Sequence, residues 1–399
     1  MSILHQHWIA AFPKDTEGLG QGKFEGSLLV FAIVLALIFV NTSFKPAFDL
    51  LHHTPVHIRI GPLILDRHLI EWVNDGLMVF FFIYITLEIR RALLHQHRSV
   101  RSAMALPAAA ALGGIVVPAV IYGIINWREP GTFHGWGIPV ATDVVLVLAV
   151  LSFFSDRTPR SLPLFLVTLA VFDDLGGILI IAGFYGDTLI WQPIVFATLP
   201  LLVLVALNRG RVEGITPYVV AGLALWTALL RSGIHPTLAG VAVGLAYPVQ
   251  NNVGLEIKPS SGLRHWVSFG IVPLFGFLNA GIVFAELTGE SIVHPVTLGI
   301  FLGLFLGKPL GILTTCAALA ATGWVRLPED LNWSHLTAAA FFAGIGFTMS
   351  LFINSLAFDG TSTASLGRLG ILSASLAAGV VGALLMMMTK PRPADPRIG

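Results

Sequence analysis

Long apolar runs separated by short polar connections dominate this chain. About twelve of these runs are close to the roughly 20 residues that cross a hydrocarbon core as a helix. The predicted spans cover 26–44, 70–90, 103–126, 136–154, 162–184, 188–207, 214–230, 235–249, 266–285, 294–322, 335–357 and 366–388. The pattern therefore predicts an all-α polytopic membrane protein. A twelve-span domain over 26–388 lies between an N-terminal segment, 1–25, and a C-terminal tail, 389–399.

The basic residues predict the orientation of these spans. If both termini lie on one side, sixteen of the 23 Lys and Arg residues fall on that side and six on the other. Because cytoplasmic connections carry an excess of Lys and Arg, both termini are predicted to be cytoplasmic. The one basic residue left over is Lys308, deep in the tenth span.

Composition excludes several classes of protein. Hydrophobic residues make up 55% of the chain and charged residues 11%, whereas a soluble domain carries about 25% charged residues. The net charge of +1 argues against a nucleic-acid partner, and the single cysteine excludes an internal disulfide or a Cys-rich metal site. No cleaved signal peptide is expected, because the N-terminus lacks a charged start followed by a continuous apolar run.

The connection after the first span, HTPVHIRIGPLILDRH, alternates apolar and polar residues on both sides of Gly61 and Pro62. This pattern predicts a small outer β-hairpin over about 56–66. Its exposed edge could pair with a second copy of the chain. Alternatively, the hairpin only covers the ends of its own helices.

Two adjacent aspartates, Asp173 and Asp174, lie inside the apolar run LPLFLVTLAVFDDLGGILIIAGF. A carboxylate at the bilayer centre costs roughly 2.5 kcal/mol or more, so packing does not explain the pair. The pair is suited to bind a cation, a proton, or each in turn. Buried charges normally pair, which places Lys308 against a carboxylate. Since adjacent helical residues point about 100° apart, one aspartate can pair with Lys308 while the other faces an ion pathway.

Apart from Glu71 at the very start of its span, the predicted spans contain three further acidic residues: Asp75, Glu88 and Asp143. Glu88 precedes Arg90 and Arg91 at a cytoplasmic helix end, which favours an interfacial anchor over a role in transport. Asp75 lies near the outer end of its span, where it could line an entrance or simply be close to water. Asp143 lies in the fourth span, which is predicted to be interrupted.

Two spans are predicted to be broken rather than continuous. The helix-weakening residues are Gly137 and Pro139 in the fourth span and Gly344 and Gly346 in the eleventh. Polar residues that can cap a new half-helix follow them: Thr142, Asp143, Thr348 and Ser350. Interrupted spans in both halves of a chain point to a midplane ion site, although glycine is also common in membrane helices as a packing residue.

Several segments together resemble the NhaA family of bacterial sodium/proton antiporters. They are WVNDGLMVFFF, ATDVVLVLAVLSFF, LAVFDDLGGILIIAGFY, SGIHPTLAGVAVG, LFLGKPLGI and AGIGFTMSLFINSLAF, and the resemblance spans roughly 26–388 in order. It implies inverted-topology repeats with two discontinuous crossing helices. It also implies a multi-pass protein of the bacterial inner membrane, surrounded by lipid, and a homodimer formed through the hairpin.

The resemblance also implies roles for individual residues. Asp174 matches the expected sodium ligand and Asp173 the proton-exchanging partner. Lys308 matches the family's membrane lysine, which either carries a proton or acts as a structural counter-ion. The supporting and more distant matches are Thr142 and Asp143 at the helix crossing, Asp75 near the outer side, Glu88 near the cytoplasmic mouth and His235 in the pH response.

The activity implied is electrogenic exchange of Na⁺ or Li⁺ for protons, with no cofactor and no enzymatic reaction. H⁺ and Na⁺ would compete for the aspartate pair, which should titrate as one coupled unit. One region departs from the family pattern. In LEIKPSSGLRHWV the residues Glu256, Lys258, Arg264 and His265 match the family's pH-responsive cluster poorly, so the pH profile is not implied with it.

Three other functions are alternatives to antiport. A sodium-coupled symporter for an organic solute would need a cavity with more polar groups. An intramembrane aspartyl protease needs aspartates on two different helices, which the adjacent Asp173 and Asp174 cannot supply. A passive cation channel would be opposed by Lys308 in its core. The symporter is the leading alternative.

Overall fold

The computed structural model describes residues 17–60, 63–94, 98–186, 188–248, 261–323, 327–328, 330–358 and 360–390. Four sequence predictions fall wholly or partly outside this set. They are the N-terminal segment up to residue 16, the hairpin turn at Gly61 and Pro62, the stretch with Glu256 and Lys258, and the tail from residue 391.

Helices make up most of the described chain. The α-helices are Glu17–Val40, Lys45–His53, Leu69–Glu71, Met78–Leu94, Arg98–Asn126, Pro130–Phe133, Val144–Ser152, Ser161–Phe184, Trp191–Arg209, Ile215–Leu229, Leu238–Ala246, Ser261–Trp266, Val272–Asn279, Gly289–Val293, Pro295–Leu302, Lys308–Ala321, Trp333–Ala343, Phe347–Ala357 and Thr363–Met388. Two 3₁₀ segments, His134–Val140 and Phe284–Glu286, and three π segments, Trp72–Leu77, Val267–Ile271 and Gly303–Gly307, adjoin them.

Within the described residues, nine helices are long and apolar enough to cross a membrane. A tenth span results if the segments Pro130–Val140 and Val144–Ser152, bent by 44° at their junction, count as one. The helix Ile215–Leu229 is apolar but shorter. Helices suit this environment because they satisfy their backbone hydrogen bonds internally, where no water can do so. The chain is therefore a multi-pass membrane protein.

The predicted hairpin is present as a two-stranded antiparallel sheet. Strand β1, Pro55–Ile60, pairs with strand β2, Leu63–His68, in a register that runs from Pro55↔His68 to Ile60↔Leu63. His57 and Asp66 are direct partners in this register, and their side chains meet at 2.6 Å on an exposed face. The alternation of apolar and polar residues thus correctly predicts two strands at this place in the chain.

The chain divides into two compact units, which are interleaved along the sequence. The first unit contains the described parts of 1–30, 95–177 and 286–399, and the second contains those of 31–94 and 178–285. All four ionisable residues of the predicted core site belong to the first unit: Asp143, Asp173, Asp174 and Lys308. Asp75, Glu88 and His235 belong to the second.

Close backbone contact between two helices organises the first unit. A Cβ atom built at Gly311 would lie 2.0 Å from the carbonyl oxygen of Gly113, and one at Gly113 would lie 2.2 Å from Thr315 Oγ1. Small residues permit such an approach, which is a common packing mode between membrane helices. The contact fixes the helix that begins at Lys308 against the helix Arg98–Asn126.

The second unit is held by an apolar cluster and by a capped helix end. Leu225, Trp226, Ala239 and Val243 are among the buried members of the cluster. The Arg90 guanidinium donates to the carbonyl oxygens of Gly244, at 2.9 Å, and Tyr247. A cation at the C-terminal end of the helix Leu238–Ala246 satisfies carbonyl groups that lack intrahelical donors.

We expect Gly311→Ala to lower the stability of the first unit by about 1–3 kcal/mol, because its methyl group would overlap the Gly113 backbone. The thermal midpoint of the purified protein measures this loss. Gly183→Ala is the matched control, since a Cβ at that helical position meets no heavy atom within 4 Å other than the neighbouring backbone of its own helix. Equal midpoints for the two variants would contradict the close contact.

Candidate ion site

Both predicted breaks are present in the first unit, and each interrupts a helix at its polar residues. The 3₁₀ segment His134–Val140, which contains Gly137 and Pro139, ends just before Ala141 to Asp143, and a new helix begins at Val144. In the other broken span one helix ends at Ala343 and the next begins at Phe347. Gly344 and Gly346 lie in the connection between them.

Asp143 joins the two breaks. Its Oδ1 accepts from Leu146 N at 3.1 Å, which caps the helix Val144–Ser152. Its Oδ2 accepts from Thr348 N at 3.1 Å and Thr348 Oγ1 at 2.7 Å, at the start of the helix Phe347–Ala357. The backbone N–H of Asp143 donates to Ile345 O at 2.7 Å. One carboxylate thus stands at the positive ends of two half-helices, where an anion is stabilising.

Lys308 pairs with Asp173. Lys308 Nζ lies 2.8 Å from Asp173 Oδ2, and both side chains are fully buried. The same ammonium group donates to the Val140 carbonyl at the end of the 3₁₀ segment. Lys308 therefore contacts both a carboxylate and the negative end of a broken helix, a combination that satisfies a charge buried away from water.

Thr142 lies between Asp173 and the second break. Its Oγ1 is 2.7 Å from Asp173 Oδ2 and 2.8 Å from the carbonyl oxygen of Ala343. A hydroxyl has one hydrogen to donate. Thr142 can therefore give its full hydrogen bond to the carboxylate or to the helix end, but not to both.

Asp174 differs sharply from its neighbour. It is 4% exposed, and its Oδ1 is buried without a hydrogen-bond donor among the described residues. Asp173 Oδ1 is likewise buried without a donor among the described residues, but Asp173 Oδ2 lies 2.8 Å from Lys308 Nζ and 2.7 Å from Thr142 Oγ1. Because adjacent residues of a helix point about 100° apart, the two carboxylates have separate surroundings. Asp174 is thus a buried acid that a proton or a small cation can neutralise.

The site brings three carboxyl groups together with one ammonium group, and all four residues are buried. No more than one carboxylate can be balanced by Lys308, and Asp143 is balanced chiefly by helix ends. The described residues contain no group of three or more His, Cys, Asp and Glu side chains arranged to hold a metal ion. The charge of the remaining carboxylate, Asp174, can be neutralised by a proton or a small cation.

In the second unit Asp75 is bound by residues of several elements. Its Oδ2 accepts from Arg67 of strand β2 at 2.8 Å, and its Oδ1 lies 3.6 Å from His235 Nε2. Trp226 Nε1 donates to the Asp75 carbonyl at 2.8 Å, and His235 Nδ1 lies 2.6 Å from Thr237 Oγ1. Asp75 therefore connects the hairpin to the π segment Trp72–Leu77.

Glu88 lies near the end of a long helix. Its Oε1 accepts from Arg91 one helical turn away at 3.1 Å, and the Glu88 side chain is 41% exposed. Partly exposed pairs of this kind contribute little to stability. An ion pair within one helix is compatible with an interfacial anchor and equally with a group at the cytoplasmic mouth.

Sequence reasoning did not identify two contacts of the site. In the sequence Thr348 is only one of several hydroxyl residues in a broken span, although in the structure it binds Asp143, 205 positions away. The Val140 carbonyl has no signal in the side-chain pattern at all. Helix breaks expose backbone acceptors, so the break itself was the available clue to the second contact.

The family model and the known proteins that this chain resembles all describe sodium/proton antiporters. Residues 17–386 match the family model described as Na+/H+ antiporter 1. The chain is 43% identical to the Na(+)/H(+) antiporter NhaA of Shewanella loihica over 370 residues, which cover 91% of this chain and 94% of that protein. It is 44% identical to the antiporter of the same name from Pseudomonas putida, over 92% and 95% of the two chains. The corresponding protein of Desulfotalea psychrophila is 43% identical over 94% and 95%.

We expect Lys308→Gln to destabilise the protein by about 3–5 kcal/mol, because it leaves the Asp173 charge buried without its partner. The double variant Asp173→Asn with Lys308→Gln should lose less than the sum of the two single changes. Thermal unfolding of the four purified proteins completes this cycle. The control, Lys390→Gln, removes an exposed lysine, and additive losses within the cycle would contradict the pairing.

For Asp75 we expect Arg67→Gln and Asp75→Asn each to cost about 0.5–1 kcal/mol, since the pair is only partly buried. The double variant should be little worse than either single change, as for residues in contact. The same three variants decide between the two interpretations of Asp75. If Asp75 lines an ion entrance, Asp75→Asn should raise the sodium concentration needed for half-maximal transport, whereas Arg67→Gln should not.

Proposed function

Because the chain belongs to the Na+/H+ antiporter 1 family, we propose that it exports Na⁺ from the cytoplasm in exchange for protons. The supporting observation is Asp174, a buried carboxylate beside the Lys308-paired Asp173, where two broken helices meet. Li⁺ is expected to substitute for Na⁺, since both are hard cations that favour oxygen ligands. The protein would be a transporter without a cofactor, and Na⁺, Li⁺ and H⁺ would be its cargo.

Exchange follows from competition of H⁺ and Na⁺ for the buried Asp173–Asp174 pair. A charged carboxylate in the membrane interior is costly, roughly 2.5 kcal/mol or more at the bilayer centre. Either a proton or Na⁺ removes that cost for Asp174, and each prevents the other from binding. In this scheme Asp174 is the sodium ligand and Asp173 exchanges a proton. Thr142 and Asp143 support the site, and Lys308 is the structural counter-ion of Asp173.

We propose that more protons enter than sodium ions leave in each cycle. The membrane potential then contributes to transport, since moving one charge across 100 mV yields about 2.3 kcal/mol. Two proton-binding carboxylates beside a single sodium ion are compatible with this ratio. A charge-carrying cycle predicts that proteoliposomes develop a membrane potential during sodium-driven exchange.

The proposed architecture has twelve spans arranged as inverted repeats. This number results if the bent pair and the two shorter helices, Ile215–Leu229 and Leu238–Ala246, each cross the membrane in addition to the nine long helices. Alternating access would come from rocking of one bundle against the other around the broken helices. The half-helices at Asp143 and Thr348 supply the short elements that such a motion needs.

We also propose the setting of the protein. The excess of basic residues in alternate connections supports an inner-membrane protein with both termini in the cytoplasm. A homodimer through the outer hairpin is proposed because strand edges can pair with a second copy. Asp75 and Glu88 would act near the outer and cytoplasmic mouths, and His235 beside Asp75 is the candidate for a pH response.

Sodium-induced proton release from everted membrane vesicles tests the proposal. We expect the native chain to collapse an imposed pH gradient on addition of Na⁺ when the assay is run from neutral to alkaline pH. Asp174→Asn should abolish this response, because an amide cannot exchange a proton or neutralise Na⁺. An inserted native protein that gives no response at any pH would refute antiport and favour a sodium-coupled symporter.

A further inference from the structure

Ser350 makes a hydrogen bond that an ordinary helical serine does not. It lies in the first turn of the helix Phe347–Ala357, is fully buried, and donates from Oγ to the Ile138 carbonyl at 2.8 Å. The two residues are 212 positions apart in the sequence. Serine within a helix usually bonds back to its own preceding turn. Ser355 of the same helix does so, with its Oγ 2.7 Å from Phe352 O.

The acceptor belongs to the segment that leads into the ion site. Ile138 is in the 3₁₀ segment His134–Val140, and the backbone becomes extended at Ala141. Two residues after Ile138, the Val140 carbonyl accepts from Lys308. Ser350 and Lys308 therefore hold nearby carbonyl groups of one short segment, and the segment continues directly into Thr142 and Asp143.

Gly346 provides the space for this hydroxyl group. A Cβ atom at Gly346 would lie 2.3 Å from Ser350 Oγ and 3.1 Å from the Ala141 carbonyl oxygen. A side chain at this position would therefore displace either the serine or the first break. Gly346 thus leaves the room in which Ser350 makes its hydrogen bond to the Ile138 carbonyl.

Resting on the proposed antiport, we propose that Ser350 is a positioning residue for the ion site. Its hydrogen bond fixes the 3₁₀ segment against the helix Phe347–Ala357. This places the Val140 carbonyl for Lys308 and sets Asp143 at the two helix ends. Ser350 itself contacts neither Asp173 nor Asp174 through any bond among the described residues. Its effect on sodium passes through the backbone of the 3₁₀ segment.

The test is sodium-dependent exchange by the full-length protein in proteoliposomes, with Ser350→Ala, Ser350→Thr and the control Ser355→Ala. Removing a residue that orients ion ligands typically weakens binding by 10–100-fold. We expect Ser350→Ala to raise the KM for Na⁺ about tenfold, at the low end of that range, with a smaller change in maximal rate. Ser350→Thr keeps the hydroxyl and should restore most of the KM, and Ser355→Ala should leave it unchanged.

A thermal midpoint measured on each purified variant separates positioning from simple loss of stability. A lowered midpoint for Ser350→Ala with an unchanged KM would overturn the inference. So would a KM shift of equal size in Ser355→Ala. If Ser350→Ala does not fold, Ser350→Cys, whose thiol is a weak donor, is judged by the same KM criterion. Absence of exchange by the native chain would instead refute the proposed function.

Discussion

The cost of placing charge inside the membrane governs the first unit. Asp143 can be buried there because two helices begin beside it and offer their N–H groups to its two oxygens. Those helices can begin there only because both spans are interrupted. The breaks and the carboxylate therefore depend on each other: a continuous helix would leave Asp143 without donors, and an apolar residue would leave two helix ends without an acceptor.

The same reasoning links Asp143 to the aspartate pair. The end of the 3₁₀ segment exposes the Val140 carbonyl, and Lys308 occupies that acceptor while it pairs with Asp173. Because Lys308 already binds Asp173 and the Val140 carbonyl, the charge of Asp174 has no equivalent partner among the described residues. The candidate ion site is thus one consequence of how the helix ends are neutralised, since the donor that could have satisfied Asp174 is already engaged.

The sequence was a good guide to where these features lie and a poor guide to which of them touch. Hydropathy located the buried acids, glycine and proline located both breaks, and alternation located the strands. Partner choice was out of reach, because Lys308 could have faced any of three carboxylates until the helix faces were known. Helix limits also differed: the first helix begins at Glu17 rather than near residue 26, since polar residues extend a helix beyond the apolar run.

The π segment Gly303–Gly307 changes the direction in which the later side chains of its helix point. Such a segment accommodates one residue more than a regular helix of the same height. It comes immediately before Lys308, so every residue that follows is rotated by about 100° from where a regular helix would direct it. The ammonium group owes its direction to this inserted residue. A deletion of one codon within the segment would preserve an apolar helix and yet turn the lysine away from Asp173.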